Sequence, residues 1–352
     1  MSAETKQIAS PARDLRRAHA TLRRTLRVCM WLALALVCVV LLASIIGAQS
    51  LPVWASLRAL LTAGTLTDSL TAEQRAILFD VRLPRILLGG IVGASLATAG
   101  AGYQALLRNP LAEPYLLGIS NGAAVGTMIA LVFFGAHEWS RPVLAFAGAL
   151  GATFFVYRLA RGRTGGASPA RLILAGVIVT TFLSSAIVFV TTLMDATRIR
   201  SFTFWLLGDL SNSPGNLLYV AFVSAAIGIC VLTINARSLN LLMLGERDAF
   251  DLGVEVERVR ISVFLAASLL VGSSVAAGGS VGYVGLVVPH LVRLSLGSDN
   301  RLTIPAAALA GALFVILADT IARTVIAPRE LPVGAITALI GAPLFILLLK
   351  RV

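Results

Sequence analysis

Charged side chains are scarce in this 352-residue chain, where aspartate, glutamate, lysine and arginine together make up 13%. A soluble domain carries about 25% charged residues to cover a surface in contact with water. Hydrophobic residues account for 57%, so most of the surface must face something other than water. The shortage of charge excludes an ordinary soluble domain and predicts an all-α polytopic membrane protein, in which each span needs roughly 20 apolar residues.

Residues that support covalent chemistry are also missing. The histidines His19, His137 and His290 are scattered, and the three cysteines lie inside apolar runs. Lys6 and Lys350 are the only lysines, and neither follows a glycine, as the phosphate-binding loop of an ATPase requires. The chain is therefore predicted to have no catalytic site, metal site or cofactor, and a membrane-embedded enzyme is disfavoured.

Acidic residues within apolar segments are nearly absent, which limits how transport can be driven. Asp319 is the one candidate, and Arg323 lies one helical turn further on, where the two can form a structural ion pair. Carriers driven by protons or sodium ions usually need carboxylates at mid-membrane depth. The sequence therefore disfavours an ion-coupled secondary transporter, which stays the alternative class, and predicts that energy enters from a partner.

About ten membrane helices are predicted, because ten apolar segments are separated by polar stretches. Their approximate limits are 28–48, 84–107, 115–135, 142–160, 171–193, 217–236, 261–281, 284–297, 303–324 and 333–350. The segment 284–297 is too short for a regular span and contains Pro289 and His290. We therefore expect it to lie within protein and not to face lipid.

The basic residues predict the orientation of the chain. The net charge is +12, but arginines punctuate the apolar runs and do not form a soluble basic face, so no nucleic-acid partner is expected. Their excess on one side places the N-terminus in the cytoplasm, and an even number of spans returns the C-terminus there. The chain divides into a basic cytoplasmic tail, 1–27, and a single transmembrane domain, 28–352, surrounded by lipid.

A weak internal repeat appears at an offset of 179 residues. Small and helix-breaking residues recur at this spacing, as in the pairs Gly93 with Gly272, Ser95 with Ser274, Gly100 with Gly279, and Pro110 with Pro289. The two copies would run in opposite directions through the membrane. Such an inverted repeat is a recurring transporter architecture, with the substrate path near the repeat interface.

The loop 237–260, on the predicted cytoplasmic side, is the best candidate for energy coupling. Within it, 244–253 mixes charged residues with Leu244, Ala249 and Leu252 and ends at Gly253. This pattern predicts a short amphipathic helix ended by glycine. We expect that helix to dock a soluble partner, with Ala249 close against it.

A set of motifs across 30–350 resembles the permeases of ABC importers for iron-siderophores, haem and vitamin B12. These motifs are Arg82-Leu83-Pro84-Arg85, Asn109-Pro110-Leu111-Ala112-Glu113-Pro114, Leu117 to Ala123, Leu174-Ala175-Gly176-Val177, Trp205 to Gly208, Gly245 to Gly253, Gly282 to His290, Asp319 to Arg323, and Glu330 to Gly334. The resemblance implies ten helices per subunit and a second permease, either an identical copy or a close paralogue. It also implies two cytoplasmic ATPases and an external substrate-binding protein.

The resemblance also implies roles for individual positions. Arg82, Arg85 and Arg323 match the arginines that receive acidic side chains of the binding protein. Asn109 and Leu111 match one side of the cytoplasmic gate, and Ser168, Pro169 and Ala170 match the other, where the hydroxyl-rich pattern of some relatives is only partly present. Leu244, Gly245, Glu246, Ala249, Leu252 and Gly253 match the loop that docks in the ATPase.

The sequence thus predicts a permease for a ferric siderophore in the inner membrane of a bacterium, with haem and cobalamin as alternative substrates.

Overall fold

The computed structural model describes residues 11–47, 49–62, 70–134, 139–162, 167–211 and 215–349, with side chains between residues 22 and 347. These ranges contain fifteen α-helices. They are α1 (Pro11–Ile45), α2 (Val53–Leu61), α3 (Ala72–Ala76), α4 (Leu83–Leu107), α5 (Ile119–Ile129), α6 (Ser140–Ala160), α7 (Pro169–Thr192), α8 (Ala196–Leu206), α9 (Gly215–Ile234), α10 (Ala236–Leu244), α11 (Glu246–Asp251), α12 (Val256–Gly278), α13 (Val284–Leu296), α14 (Asn300–Ala322) and α15 (Val333–Leu349). Lys6 and Lys350, quoted above, lie outside the described ranges.

Each apolar segment predicted from the sequence coincides with helix. In the described part of the chain, seven helices are long and apolar enough to cross a bilayer, and three shorter apolar helices cover Ile119–Phe134, Val284–Leu296 and Val333–Leu347. The all-α membrane architecture is confirmed, while the count of ten spans and the inverted repeat stay predictions. The first helix begins at Pro11, so part of the segment assigned to the basic tail continues this helix.

Helix α4 lies at the centre of the bundle, with most of its residues buried and with α9, α12, α13 and α14 packed around it. Glycines allow the backbones to approach closely. A Cβ atom added to Gly93 would lie 2.2 Å from Gly311 O, and one added to Gly100 would lie 1.9 Å from Gly285 O. This contact between backbones is how helices associate in lipid, where packing replaces the hydrophobic effect.

Two helices carry little of this packing. In an 18-residue apolar stretch of each helix, only 11% of the residues of α1 and 17% of those of α7 are buried within the chain. Their exposed apolar faces are therefore available to lipid or to a second membrane chain.

The helical path is broken beside the middle of α4. Helix α12 ends at Gly278, beside Val92, and α13 begins after a turn, with Gly285 against Leu96 and Gly100. The turn 279–283 therefore lies level with the middle of α4. Irregular backbone at this depth is tolerated only where protein buries it or where it lines a cavity.

Candidate functional site

The broken helix meets two other chain segments. Asp209 N donates to Gly278 O at 2.9 Å, and Gly334 N donates to Leu207 O at 2.9 Å. A Cβ atom added to Gly208 would lie 3.1 Å from Ser280 O. We call the meeting of 207–209, 278–281 and 333–334 the central junction. Its backbone groups satisfy one another without a regular helix, as irregular backbone inside a membrane protein must.

A second irregular turn, 108–118, connects α4 to α5 and is tied to the central junction by side chains. Glu113 Oε1 accepts from Tyr283 N at 3.1 Å. Tyr115 Oη donates to Val281 O at 2.9 Å and accepts from Val281 N at 3.0 Å. Sequence reasoning gave Glu113 and Tyr115 no role, although the helix-breaking Pro114 between them marked the turn.

The predicted gate residues begin this same turn. Arg108 ends α4 in a left-handed conformation (φ 51°), and Asn109 Oδ1 accepts from Leu111 N at 2.9 Å. The side chain of Leu111 is exposed. A polar side chain thus holds the backbone of the turn while an apolar one projects from it.

The other predicted gate segment lies at the start of α7. Pro169 is the first residue of this helix, and Ser168 precedes it without a side-chain capping bond. Ser168 and Ala170 are exposed, and Pro169 is half-buried. Helix α7 packs on Pro114–Leu117 of the same turn. Both predicted gate segments therefore belong to neighbouring elements.

At the opposite end of α4, Arg82 faces the chain itself. Its side chain is buried. Its guanidinium donates to Ser44 O at 3.1 Å, to Ile45 O at 2.9 Å and to Gln49 O. The last carbonyls of a helix have no partner within that helix, so Arg82 satisfies the C-terminal end of α1.

Arg323 acts at the same helix end. It is also buried, and its Nη2 donates to Ala43 O at 2.6 Å. Its Nε lies 3.6 Å from Asp319 Oδ2, the ion pair expected from the spacing. Two of the three arginines predicted to dock a partner therefore face inward in this structure, against the end of α1.

Asp319 has a closer partner than Arg323. Arg85 Nη2 lies 2.9 Å and Nε 3.0 Å from Asp319 Oδ1, and Arg85 Nη1 lies 2.6 Å from Glu330 Oε2. A buried carboxylate held by two arginines is the expected arrangement for a charge inside the membrane. Sequence spacing found Arg323 but missed Arg85, which is 234 residues away.

Arg85 also lines an open pocket of about 360 Å³. Arg141, Arg200, Asp209 and Glu330 contribute to the same walls. Both carboxylates already have partners, since Asp209 Oδ1 accepts from the backbone N–H of Ser211 at 2.8 Å and Glu330 binds Arg85. No described carboxylate pairs with Arg141 or Arg200. We call this cavity the arginine pocket.

The predicted coupling segment forms α11, between Gly245 (φ 150°) and Gly253 (φ 84°). Ala249 is fully buried within the chain, so it does not project towards a partner as expected. The small residue instead lets α11 lie close against its own domain. Leu244, Phe250 and Leu252 are the exposed apolar side chains here.

Comparisons with known proteins agree with this architecture. The sequence profile of the FecCD transport family matches residues 34–351. The hemin transport system permease protein HmuU of Yersinia pestis is 42% identical over 78% of this chain and 83% of its own length. The vitamin B12 import system permease protein BtuC of Vibrio cholerae is 42% identical over 79% of this chain and 84% of its own length.

A solved structure is also similar in fold and sequence. It is described as an inward-facing conformation of a metal-chelate type ABC transporter, with a TM-score of 0.79 and 32% identity over 93% of this chain and all of that one. On these grounds the chain belongs to the FecCD transport family and is the permease subunit of an ABC importer.

Proposed function

We propose that this permease forms, with a second copy or a close paralogue, the path by which a ferric siderophore enters a bacterial cell across the inner membrane. The central junction carries the proposal, because transporters place their substrate path where discontinuous helices meet. Haem and cobalamin are second candidates, since HmuU and BtuC are described as permeases for hemin and vitamin B12.

Both chain termini lie in the cytoplasm in this proposal. That orientation follows from the excess of arginine on one side of the predicted spans. It places α11 and the turn 108–118 on the cytoplasmic side and the arginine pocket on the outer side.

The gate in this proposal is formed by Asn109 and Leu111 together with 168–170 at the start of α7. The exposed Leu111 side chain at a fixed turn suits a closure that makes few polar contacts with a passing substrate. Weak contacts matter because a tightly held substrate would not leave the path.

Docking of a soluble binding protein is assigned to the arginine pocket. Arg141 and Arg200 carry the docking contact, because no described carboxylate neutralises them. Arg85, predicted from the sequence, lines the same pocket but already binds Asp319 and Glu330. A planar guanidinium binds a carboxylate through two parallel hydrogen bonds. Arg82 and Arg323 instead hold the end of α1, so their contribution to docking is indirect.

Two cytoplasmic ATPases supply the energy, and α11 is the surface on which one of them docks. The exposed side chains of Leu244, Phe250 and Leu252 form an apolar patch among charges. Apolar side chains at the centre of an interface become buried when the partner docks. The buried Ala249 packs α11 against the rest of the permease.

The function is tested by reconstituting the permease in liposomes with the ATPase and binding protein encoded beside it. Uptake of radiolabelled ferric siderophore, haem or cobalamin is measured with and without ATP. We expect ATP-dependent accumulation of the siderophore. Accumulation of haem or cobalamin alone would show that this compound, and not the siderophore, is the substrate. Uptake without any ATPase would favour a secondary transporter.

The docking role of the arginine pocket is tested separately by binding-protein affinity. Arg141→Gln and Arg200→Gln should each raise the Kd, because a charge-assisted hydrogen bond is lost. Arg198→Gln is the matched control, since Arg198 lies on the same helix but pairs with Asp195 at 3.1 Å outside the pocket. Equal effects of Arg198→Gln and Arg200→Gln would refute the assignment.

A further inference from the structure

Glu246, the first residue of α11, contacts two arginines that belong to other elements. Its Oε1 lies 3.1 Å from Arg108 Nη2 and 2.8 Å from Arg260 Nη2. Arg260 also binds Glu257 at 2.6 Å, and Glu257 accepts from Tyr157 Oη at 2.8 Å. One chain of charged and polar contacts therefore links α4, α11, α12 and α6.

Arg108 connects this network of contacts to the proposed gate. Arg108 ends α4 and immediately precedes Asn109 of the proposed gate. Its left-handed backbone conformation is strained for a residue with a side chain. Because this conformation directs the turn that follows, a force on the Arg108 side chain acts on the start of the gate. Glu246 is the described carboxylate with which Arg108 pairs.

Arg260 anchors this network of contacts. Only 7% of its side chain is exposed, and both of its carboxylate partners lie within 2.8 Å. A buried guanidinium holds its partners firmly because removing one leaves an uncompensated charge. Arg108 is more exposed, so its pair with Glu246 is the weaker link and the one that can rearrange.

We infer that Glu246 is a positioning residue that transmits movement of α11 to the gate turn. Arg260 holds the Glu246 carboxylate at the base of α11, and Arg108 follows that carboxylate when α11 is displaced. The inference rests on the proposed coupling of α11 to an ATPase. It adds the intramolecular step by which this displacement reaches Asn109 and Leu111. Docking of an ATPase on α11 does not by itself explain that step.

A purely structural role for Glu246, as a counter-ion for Arg260, makes a different prediction. In that case Glu246→Gln would lower the stability and assembly of the permease, and Arg108→Gln would change nothing. If Glu246 transmits movement, both variants uncouple the transporter in the same way. The double variant would then be no worse than either single one, because both remove the same link.

The test compares substrate uptake with ATP hydrolysis in the same liposomes, so that the ratio of molecules moved per ATP is read directly. We expect Glu246→Gln and Arg108→Gln to lower this ratio at least ~5-fold, the low end of measured couplings between sites. Arg108→Lys should retain most of the wild-type ratio, since the charge stays within reach of Glu246.

Glu255→Gln is the matched control. Glu255 is exposed and pairs with Arg258 at 3.0 Å on the same cytoplasmic stretch, but that pair connects no second element. A wild-type ratio in Glu246→Gln and Arg108→Gln, or an equal loss in Glu255→Gln, would overturn the inference. Failure of the proposed function looks different, because the wild-type assembly would then show no ATP-dependent uptake at all.

Discussion

Gly100 offers a sharp test of the packing at the centre of the bundle. An alanine there would place its Cβ atom 1.9 Å from Gly285 O and 2.6 Å from Gly285 C, whereas ordinary contact begins at 3.4 Å. These atoms are backbone, so no side chain can rotate out of the way. Helix α4 and the start of α13 must separate by about 1.5 Å, the difference between 3.4 and 1.9 Å.

The cost of Gly100→Ala follows from two opposing effects. Overpacking a core costs about 1–3 kcal/mol, and we expect the upper end where backbone blocks relief. Replacing a helical glycine with alanine returns roughly 1 kcal/mol of helix propensity. The net destabilisation is about 2 kcal/mol, which lowers the ratio of folded to unfolded protein about 30-fold.

The assay is unfolding of the purified permease in detergent by titration with sodium dodecyl sulfate. Gly151→Ala is the matched control, because Gly151 also lies in a transmembrane helix but its added Cβ atom would meet nothing within 4 Å. We expect Gly151→Ala to equal or exceed the wild type and Gly100→Ala to unfold earlier. Coincident transitions for the two variants would refute the close backbone contact between α4 and α13.

Three further outcomes are expected. Asp319→Asn should destabilise the permease by about 3–5 kcal/mol in the same titration, because it leaves Arg85 without its buried partner. Glu330→Gln is the control, and at a site 48% exposed it should cost at most ~1 kcal/mol. Ala249→Glu should abolish coupled uptake by forcing a charge into a fully buried site, and normal transport would mean that α11 is not held as described. Leu111→Cys should cross-link between two permease copies in one nucleotide state more than in another, while state-independent cross-linking would make the turn static.

The sequence predicted helix positions well because lipid imposes a simple rule on them. Each span needs a long apolar run, so runs such as 217–236 and 303–324 mark the helices that the structure places at Gly215–Ile234 and Asn300–Ala322. The boundary at 28 stays a prediction, because a helix can continue into a basic segment, as α1 does from Pro11.

Side-chain partners were far harder to predict. The spacing of Asp319 and Arg323 showed a possible pair one turn apart, but nothing local indicates that Arg85 binds the same carboxylate. The orientation of Ala249 was wrong for a related reason. In a short helix a small residue fits either a partner or the chain's own interior, and the neighbouring elements decide which.

The two buried arginines show why position in the chain does not determine role. A docking residue must be free to bind a partner, but Arg82 already donates to carbonyls of Ser44, Ile45 and Gln49, and Arg323 to that of Ala43. Helix α1 packs along α14, and these bonds fasten its C-terminal end to the bundle.

A charge reversal at Arg82 would therefore do two things at once. It would place a carboxylate against carbonyl oxygens, which repel it, and release the end of α1. Loss of binding-protein affinity in Arg82→Glu would then follow from a displaced helix even if no acid ever touches this arginine. Arg82→Gln separates the two cases, because a neutral amide still donates hydrogen bonds to carbonyl oxygens. We expect Arg82→Gln to keep most of the affinity while Arg200→Gln loses it. A similar loss of affinity in both, with α1 still in place, would return Arg82 to the docking surface.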